Sequence, residues 1–210
     1  MNKSKKSTNK IVKYLREVSV VVIGVAVTLS ASYWITSRNE KKDMALYLNA
    51  IKLELEENIK ILDDEAAYLE DWENYARYLS SHDKNSLHPD SIRIFGYPRL
   101  GSVHNTIFQT SAFEMFKVSG AMRLINDKAL LQSLWKAYLK MEIVKLALDT
   151  YYELKKEYLI KENQLMLEGK PSPIPLYDFF ITYINFGALE ECNGLSKDLK
   201  KIVLKLEQQK

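Results

Sequence analysis

The chain is poor in the residues that usually carry chemistry or staple a small fold. Cys192 is its only cysteine among 210 residues, so an intramolecular disulfide framework is excluded. A buried structural thiol is the expected role for it. Glycine and proline are scarce, at seven and five, and neither occurs between Val25 and Pro89. There is no Gly-x-Ser-x-Gly elbow and no Gly-rich phosphate loop, and Cys192 has no histidine near it in sequence, which leaves nucleophilic catalysis without a foothold. The three histidines, His82, His88 and His104, fall in or beside one central stretch and lack the helical spacing of a metal-binding pair. No histidine occurs on either long helical pattern, which excludes the Glu-x-x-His diiron bundle.

Charge is absent from one place in particular. Val18 to Ser37 is a run of 20 residues with no Asp, Glu, Lys or Arg. At about 1.5 Å of rise per residue such a helix spans roughly 30 Å, the thickness of a bilayer core. Residues 1–17 carry six basic residues and one acidic one, leaving 24 basic against 26 acidic in 38–210. The positive balance thus belongs to the tail, and a nucleic-acid partner is not expected. Six basic residues precede the run and only Arg38, Lys41 and Lys42 closely follow it, so the positive-inside rule places the N-terminus in the cytoplasm. Tyr33 and Trp34 stand where aromatic rings settle at headgroup depth. Ser30-Ala31-Ser32 offers small residues of the kind a signal peptidase cuts, but the run continues through Tyr33, Trp34 and Ile35, and an uncleaved anchor is expected. Gly24, Thr28 and Ser32 recur every four residues, a small-residue ridge that lets spanning helices approach closely; these three are the candidate packing residues of a homo-oligomer.

Arg16-Glu17, then Val20-Val21-Val22-Ile23-Gly24-Val25, then Trp34 and Asn39-Glu40-Lys41-Lys42 form a block. It resembles the N-terminal block of a family of uncharacterised bacterial single-pass membrane proteins, in which a Gly-Glu pair precedes a Val-Ile-Gly run and a Trp-Asn-Glu cluster follows it. Thr110-Ser111-Ala112-Phe113 through Ser119-Gly120 to Leu124-Ile125 resembles a second block of that family. Arg16 stands where the family has Gly, and Trp34 is separated from Asn39-Glu40. The resemblance implies an anchor followed by a helical outer domain, and it brings no catalytic residue with it.

From Met44 onward the apolar residues follow helical spacing, with Leu48, Leu55, Leu62 and Leu69 forming a heptad row. Asn58 and Glu65 interrupt the companion row, so the stripe drifts to Ile59 and Ala66 as in a globular bundle. With no Gly or Pro between them, the apolar helix and this one read as continuous. Residues 80–105 read as loop, 106–118 as a short helix closed at Ser119-Gly120, and 127–167 as a long helix capped by Asn126 or Asp127 and ended by Gly169. Its buried stripe is expected to include Leu131, Leu134, Tyr138, Met141, Leu148, Tyr152 and Leu159. Pro171-Ser172-Pro173-Ile174-Pro175 reads as an extended connector, 176–190 as a helix, Asn193-Gly194 as a turn, and Ser196 as the cap of a last helix facing inward through Leu199, Ile202, Val203 and Leu206.

The expected architecture is all-α: a cytoplasmic tail over 1–17, a transmembrane helix over 18–37, and an extracytoplasmic domain over 38–210 in which that helix continues into an antiparallel bundle of about four helices. Glu54, Glu56, Glu57, Asp63, Asp64 and Glu65 are expected on a solvated face, and Tyr68, Tyr75, Tyr78, Tyr151, Tyr152 and Tyr158 in the core. The lysines of the last helix suit a solvated outer face better than a lipid surface. No cofactor, metal or catalytic residue is expected. The expected role is a membrane-anchored interaction or scaffold protein of the bacterial envelope, set in the cytoplasmic membrane with its outer domain periplasmic. Its partners would be the lipid bilayer and other envelope proteins. The alternative is a ligand-sensing bundle that signals through a partner, since 17 cytoplasmic residues cannot house an output domain.

Overall fold

The structure, a computed structural model, describes residues 4–83, 103–170, 179–180 and 187–208, with side chains from residue 16 onward. Four helices account for nearly all of it: α1 (Ser4–Ser80), α2 (Ser111–Val118), α3 (Lys128–Leu167) and α4 (Ala188–Glu207). A single 3-10 turn, Ala121–Leu124, follows α2, and no strand occurs among the described residues. The chain divides between Leu46 and Tyr47 into two units, and α1 contributes to both.

In the first unit every described side chain from Arg16 to Thr36 is exposed. This stretch is long and apolar enough to cross a membrane, and none of it is covered by the rest of the chain. By its length, its apolar composition and its lack of cover, this stretch is a candidate membrane span near the N-terminus.

In the second unit one face of α1 is core. Ile51, Leu55, Leu62, Ala66, Leu69, Trp72, Ala76 and Leu79 are buried, as are Leu134, Tyr138, Met141, Leu148 and Tyr152 of α3 and Leu199, Ile202, Val203 and Leu206 of α4. Glu54 meets Tyr138 and Glu65 meets Tyr152, so α1 and α3 run parallel. Asp63 meets Ser196 and Lys200 while Lys52 meets Glu207, so α4 runs antiparallel to α1. Parallel neighbours need a long crossover, which residues 81–127 supply.

The helix ends follow local chemistry. Ser80 and Ser81 donate their hydroxyls to the Arg77 and Tyr78 carbonyls at the end of α1. Asp127 caps α3, accepting from the Leu130 amide at 2.9 Å. Gly120 (φ 70°) and Gly169 (φ 71°) take the left-handed conformation after α2 and α3, which costs a residue with a Cβ more than glycine.

The expected element boundaries need correction at three places. The helix expected over 106–118 begins only at Ser111, because Asn58 of α1 takes both the amide and the carbonyl of Gln109 and holds the preceding segment out of helix. Asn193-Gly194 is not a turn and Ser196 is not a cap, for all three lie inside α4. Asn-Gly marks a turn only where nothing nearby rewards helix; here Cys192, Leu195, Ser196 and Leu199 are buried on one helical face. Of the helix expected over 176–190, Gly187 interrupts the C-terminal part with φ 72°. The proline connector at 171–175 lies outside the described residues.

Candidate functional site

The residues singled out in the membrane segment are placed simply. Gly24, Thr28 and Ser32 are exposed on α1. The Thr28 hydroxyl donates to the Gly24 carbonyl at 2.9 Å, and a Cβ built on Gly24 would meet nothing within 4 Å. Within one chain the ridge is open.

The polar chemistry of the second unit sits where the sequence suggested solvent. Glu54, Asn58 and Glu65 of α1 are buried, not solvated. At intervals of four and seven they share one helical face, and that face grips residues 104–113. The Glu54 carboxylate accepts from the Ala112 amide at 2.6 Å, the Phe113 amide at 3.3 Å and the Tyr138 hydroxyl at 2.5 Å. Thr110 provides no side-chain cap for α2, so a carboxylate from another helix caps it instead, facing the positive end of its dipole. One turn on, Asn58 donates to the Gln109 carbonyl and accepts from its amide, both at 2.7 Å.

Two turns further, Glu65 accepts from Tyr152 and from the Thr106 hydroxyl, the latter at 3.1 Å, with His104 Nδ1 3.7 Å away. His104 lies flat on Tyr68, ring centroids 3.9 Å apart. Beneath them Lys155 of α3 is wholly buried. Its ammonium lies 3.6 Å from the Trp72 ring centre and 3.3 Å from the Tyr68 hydroxyl, to which it donates. Tyr151, Tyr152, Phe179 and Phe180 pack round the same indole. Burial pulls the Lys155 ammonium down to about 7, against the opposing pull of Glu65. Burial and the Glu65 carboxylate push the Tyr152 phenol well above its ordinary range; burial and Glu54 do the same for Tyr138. The Cys192 thiol, on the buried face of α4, is pushed up to about 12 by desolvation, which disfavours the nucleophilic thiolate.

The sequence reading missed Lys155. Its signal was there: Met141, Val144, Leu148, Tyr151 and Lys155 share helical spacing, so a charge sits on the apolar stripe. Of the histidines, His82 packs on Tyr78 outside this cluster and His88 lies outside the described residues. Among the described residues no three His, Cys, Asp or Glu side chains converge as a metal site.

On the outer side, α3 keeps a second apolar row. Trp135, Leu139, Ile143 and Leu146 are 47%, 58%, 59% and 69% exposed, at spacings of four, four and three. Beside this row, α3 and α4 enclose a groove of about 220 Å³ with Lys136, Lys140, Lys201 and Lys205 on its banks and Ala137, Leu195 and Ile202 in its floor. A second groove of about 270 Å³, lined by Phe113, Lys117, Trp135 and Leu139 among others, meets the first at Lys136.

No family model, no curated protein and no solved structure matches the chain.

Proposed function

We propose that this protein is a membrane-anchored helical interaction or scaffold protein of the bacterial envelope, with its N-terminal tail cytoplasmic and its bundle outside the cytoplasmic membrane. The observation that carries the reading is the Trp135–Leu139–Ile143–Leu146 row, left open on a bundle whose inner face is already filled. A contiguous apolar row on an otherwise charged surface is the usual mark of a protein contact. The basic tail, the uncharged run and the sequence resemblance support the anchor and its orientation. The test has two parts. A reporter fused after Lys210 is expected outside the cytoplasm, and activity only in the cytoplasm refutes the orientation. A photo-reactive residue replacing Leu146 in native membranes is expected to yield adducts with another envelope protein.

Self-association through Gly24, Thr28 and Ser32 belongs to the same proposal. A cysteine placed at Arg38 is expected to crosslink identical chains and to lose that crosslink with Gly24→Ile. Equal crosslinking in both backgrounds refutes helix pairing through the ridge.

A second reading, a sensor that signals through a partner, is favoured by the buried Lys155 box. A lysine held near neutrality beside Glu65 and beneath the partly exposed His104 changes charge in the physiological range. Chemical shifts of a labelled Lys155 that stay constant from pH 6 to 8.5 refute it.

A further inference from the structure

We infer that the groove between α3 and α4 is a docking site for an acidic segment of a partner protein. This rests on the interaction reading above and names the chemistry of the partner. Four ammonium groups line the groove against one carboxylate, Asp198. Asp198 lies 3.8 Å from Lys140 and 3.1 Å from Lys201, and Lys140 also reaches Glu191 outside the groove lining at 4.0 Å, so these two lysines are partly neutralised. Lys136 and Lys205 pair with no carboxylate among the described residues. This concentration of positive charge stands out because residues 38–210 carry more acidic than basic residues overall, 26 against 24. Complementary charge across an interface steers encounter and fixes register, and the complement here is carboxylate.

The floor decides between kinds of anionic partner. Ala137, Leu195 and Ile202 put aliphatic carbon at the bottom of a concavity, and its volume of about 220 Å³ holds two or three side chains. A flat headgroup layer does not enter a cleft between two helices, whereas a peptide lays alternate apolar and acidic side chains into one. The groove also opens toward Lys136, on whose other side Trp135 and Leu139 offer an exposed indole and an aliphatic chain. A segment crossing Lys136 meets both surfaces in turn, and aromatic anchors beside charged rims are the usual hot spots of such contacts. Ser133, also on the bank, is small, half-buried and bonded only to the Ala129 carbonyl, so it is the natural place for a probe.

The experiment uses the full chain in native membranes, with p-benzoylphenylalanine at Ser133 and, separately, at Leu146. The expected Ser133 adduct is a peptide of a second protein with net negative charge, identified by mass spectrometry. Its yield should fall at least tenfold in the double variant Lys136→Glu with Lys205→Glu and survive in Lys136→Arg with Lys205→Arg. All three forms should have the same melting temperature, since both lysines are exposed. An adduct with lipid, with a second copy of this chain, or with a neutral or basic segment overturns the inference, as does a yield that ignores charge reversal. A protein adduct at Leu146 with none at Ser133 overturns it too and leaves the interaction reading standing. No protein adduct at either position overturns both.

Discussion

Glu54 and Glu65 stand three turns apart on the same buried face of α1, and each accepts a hydrogen bond from a tyrosine of α3. Their remaining partners differ. Glu54 holds two backbone amides that cannot titrate, and it fixes where α2 begins. Glu65 holds the Thr106 hydroxyl and shares its surroundings with His104 and Lys155. One end of the seam is therefore a fixed lock, while the other lies by Lys155, whose ammonium burial pulls down to about 7. Both ends of this seam tie the irregular segment before α2 to α1, so the chain entering α2 is held in place by polar bonds. Apolar packing alone cannot give such register, because it is not directional.

The largest effect should come from breaking the lock. Glu54→Ala leaves the Ala112 and Phe113 amides and the Tyr138 hydroxyl without their acceptor inside the core. A loss of about 3–5 kcal/mol is expected, as for one partner removed from a buried charged network. Denaturant unfolding of the full chain in detergent measures it. Glu54→Gln keeps an acceptor oxygen and should lose clearly less; equal losses would show that packing rather than hydrogen bonding is at stake. Leu62, wholly buried between the two glutamates, gives the apolar reference: Leu62→Ala should cost about 2–5 kcal/mol. A loss under about 0.5 kcal/mol would mean that α1 does not pack as described.

The charged end should respond to pH. Lys155 is held at about 7 when folded and titrates near its ordinary 10.5 when unfolded, so between these values the unfolded chain binds the extra proton. Stability should therefore rise with pH across this window, by up to about 1.4 kcal/mol per unit. The useful range ends near pH 8.5, since Cys192, pushed up to about 12 in the fold, favours unfolding once the unfolded thiol ionises. Lys155→Met should flatten the slope between pH 7 and 8.5. If both proteins show the same slope, the Trp72 ring and Glu65 hold the ammonium charged throughout.

Much of this fold was legible because α1 and α3 are long. The stripe through Leu55, Leu62 and Leu69, the cap at Asp127 and the stop at Gly169 each follow from local rules and hold in the structure. What was illegible is the meaning of polar residues on that stripe. Asn58 and Glu65 read as interruptions that push a face toward water, yet they are buried because Gln109, Thr106 and Tyr152 come from elsewhere in the chain to satisfy them. Local spacing cannot announce a partner some 40 to 90 residues away. Lys155 was overlooked for a similar reason, since its box is assembled from both α1 and α3. Asn193-Gly194 failed the other way: turn chemistry there yields to the burial of Cys192 and Leu195 on either side.

Asp63 gives the smallest effect and separates burial from mere charge. It lies two residues before Glu65 on the same helix but turns outward, its side chain 48% exposed, where it accepts from Lys200 at 2.8 Å and from Ser196 at 2.6 Å. Partial burial works to raise its pKa, and the Lys200 and Ser196 hydrogen bonds outweigh this, so the carboxyl ends below its ordinary 3.8. A carboxyl depressed in the fold adds stability above its unfolded pKa and loses it as pH falls through the folded one. Whatever Asp63 contributes should therefore be complete at neutral pH and begin to be lost only as pH falls below about 4. Because water and salt screen an exposed pair, the contribution should be small, and Asp63→Asn should cost about 0.2–1 kcal/mol at pH 7. Unfolding of both proteins in low salt and in about 1 M NaCl checks this, since a screening length of roughly 3 Å removes most of an exposed pair's attraction. The difference should shrink toward zero in high salt and decrease progressively as pH is taken below about 4. A cost above about 2 kcal/mol that salt does not reduce would put Asp63 with Glu54 and Glu65 as a buried acceptor, and the division of α1 into a gripping inner face and a solvated outer one would fail at that position.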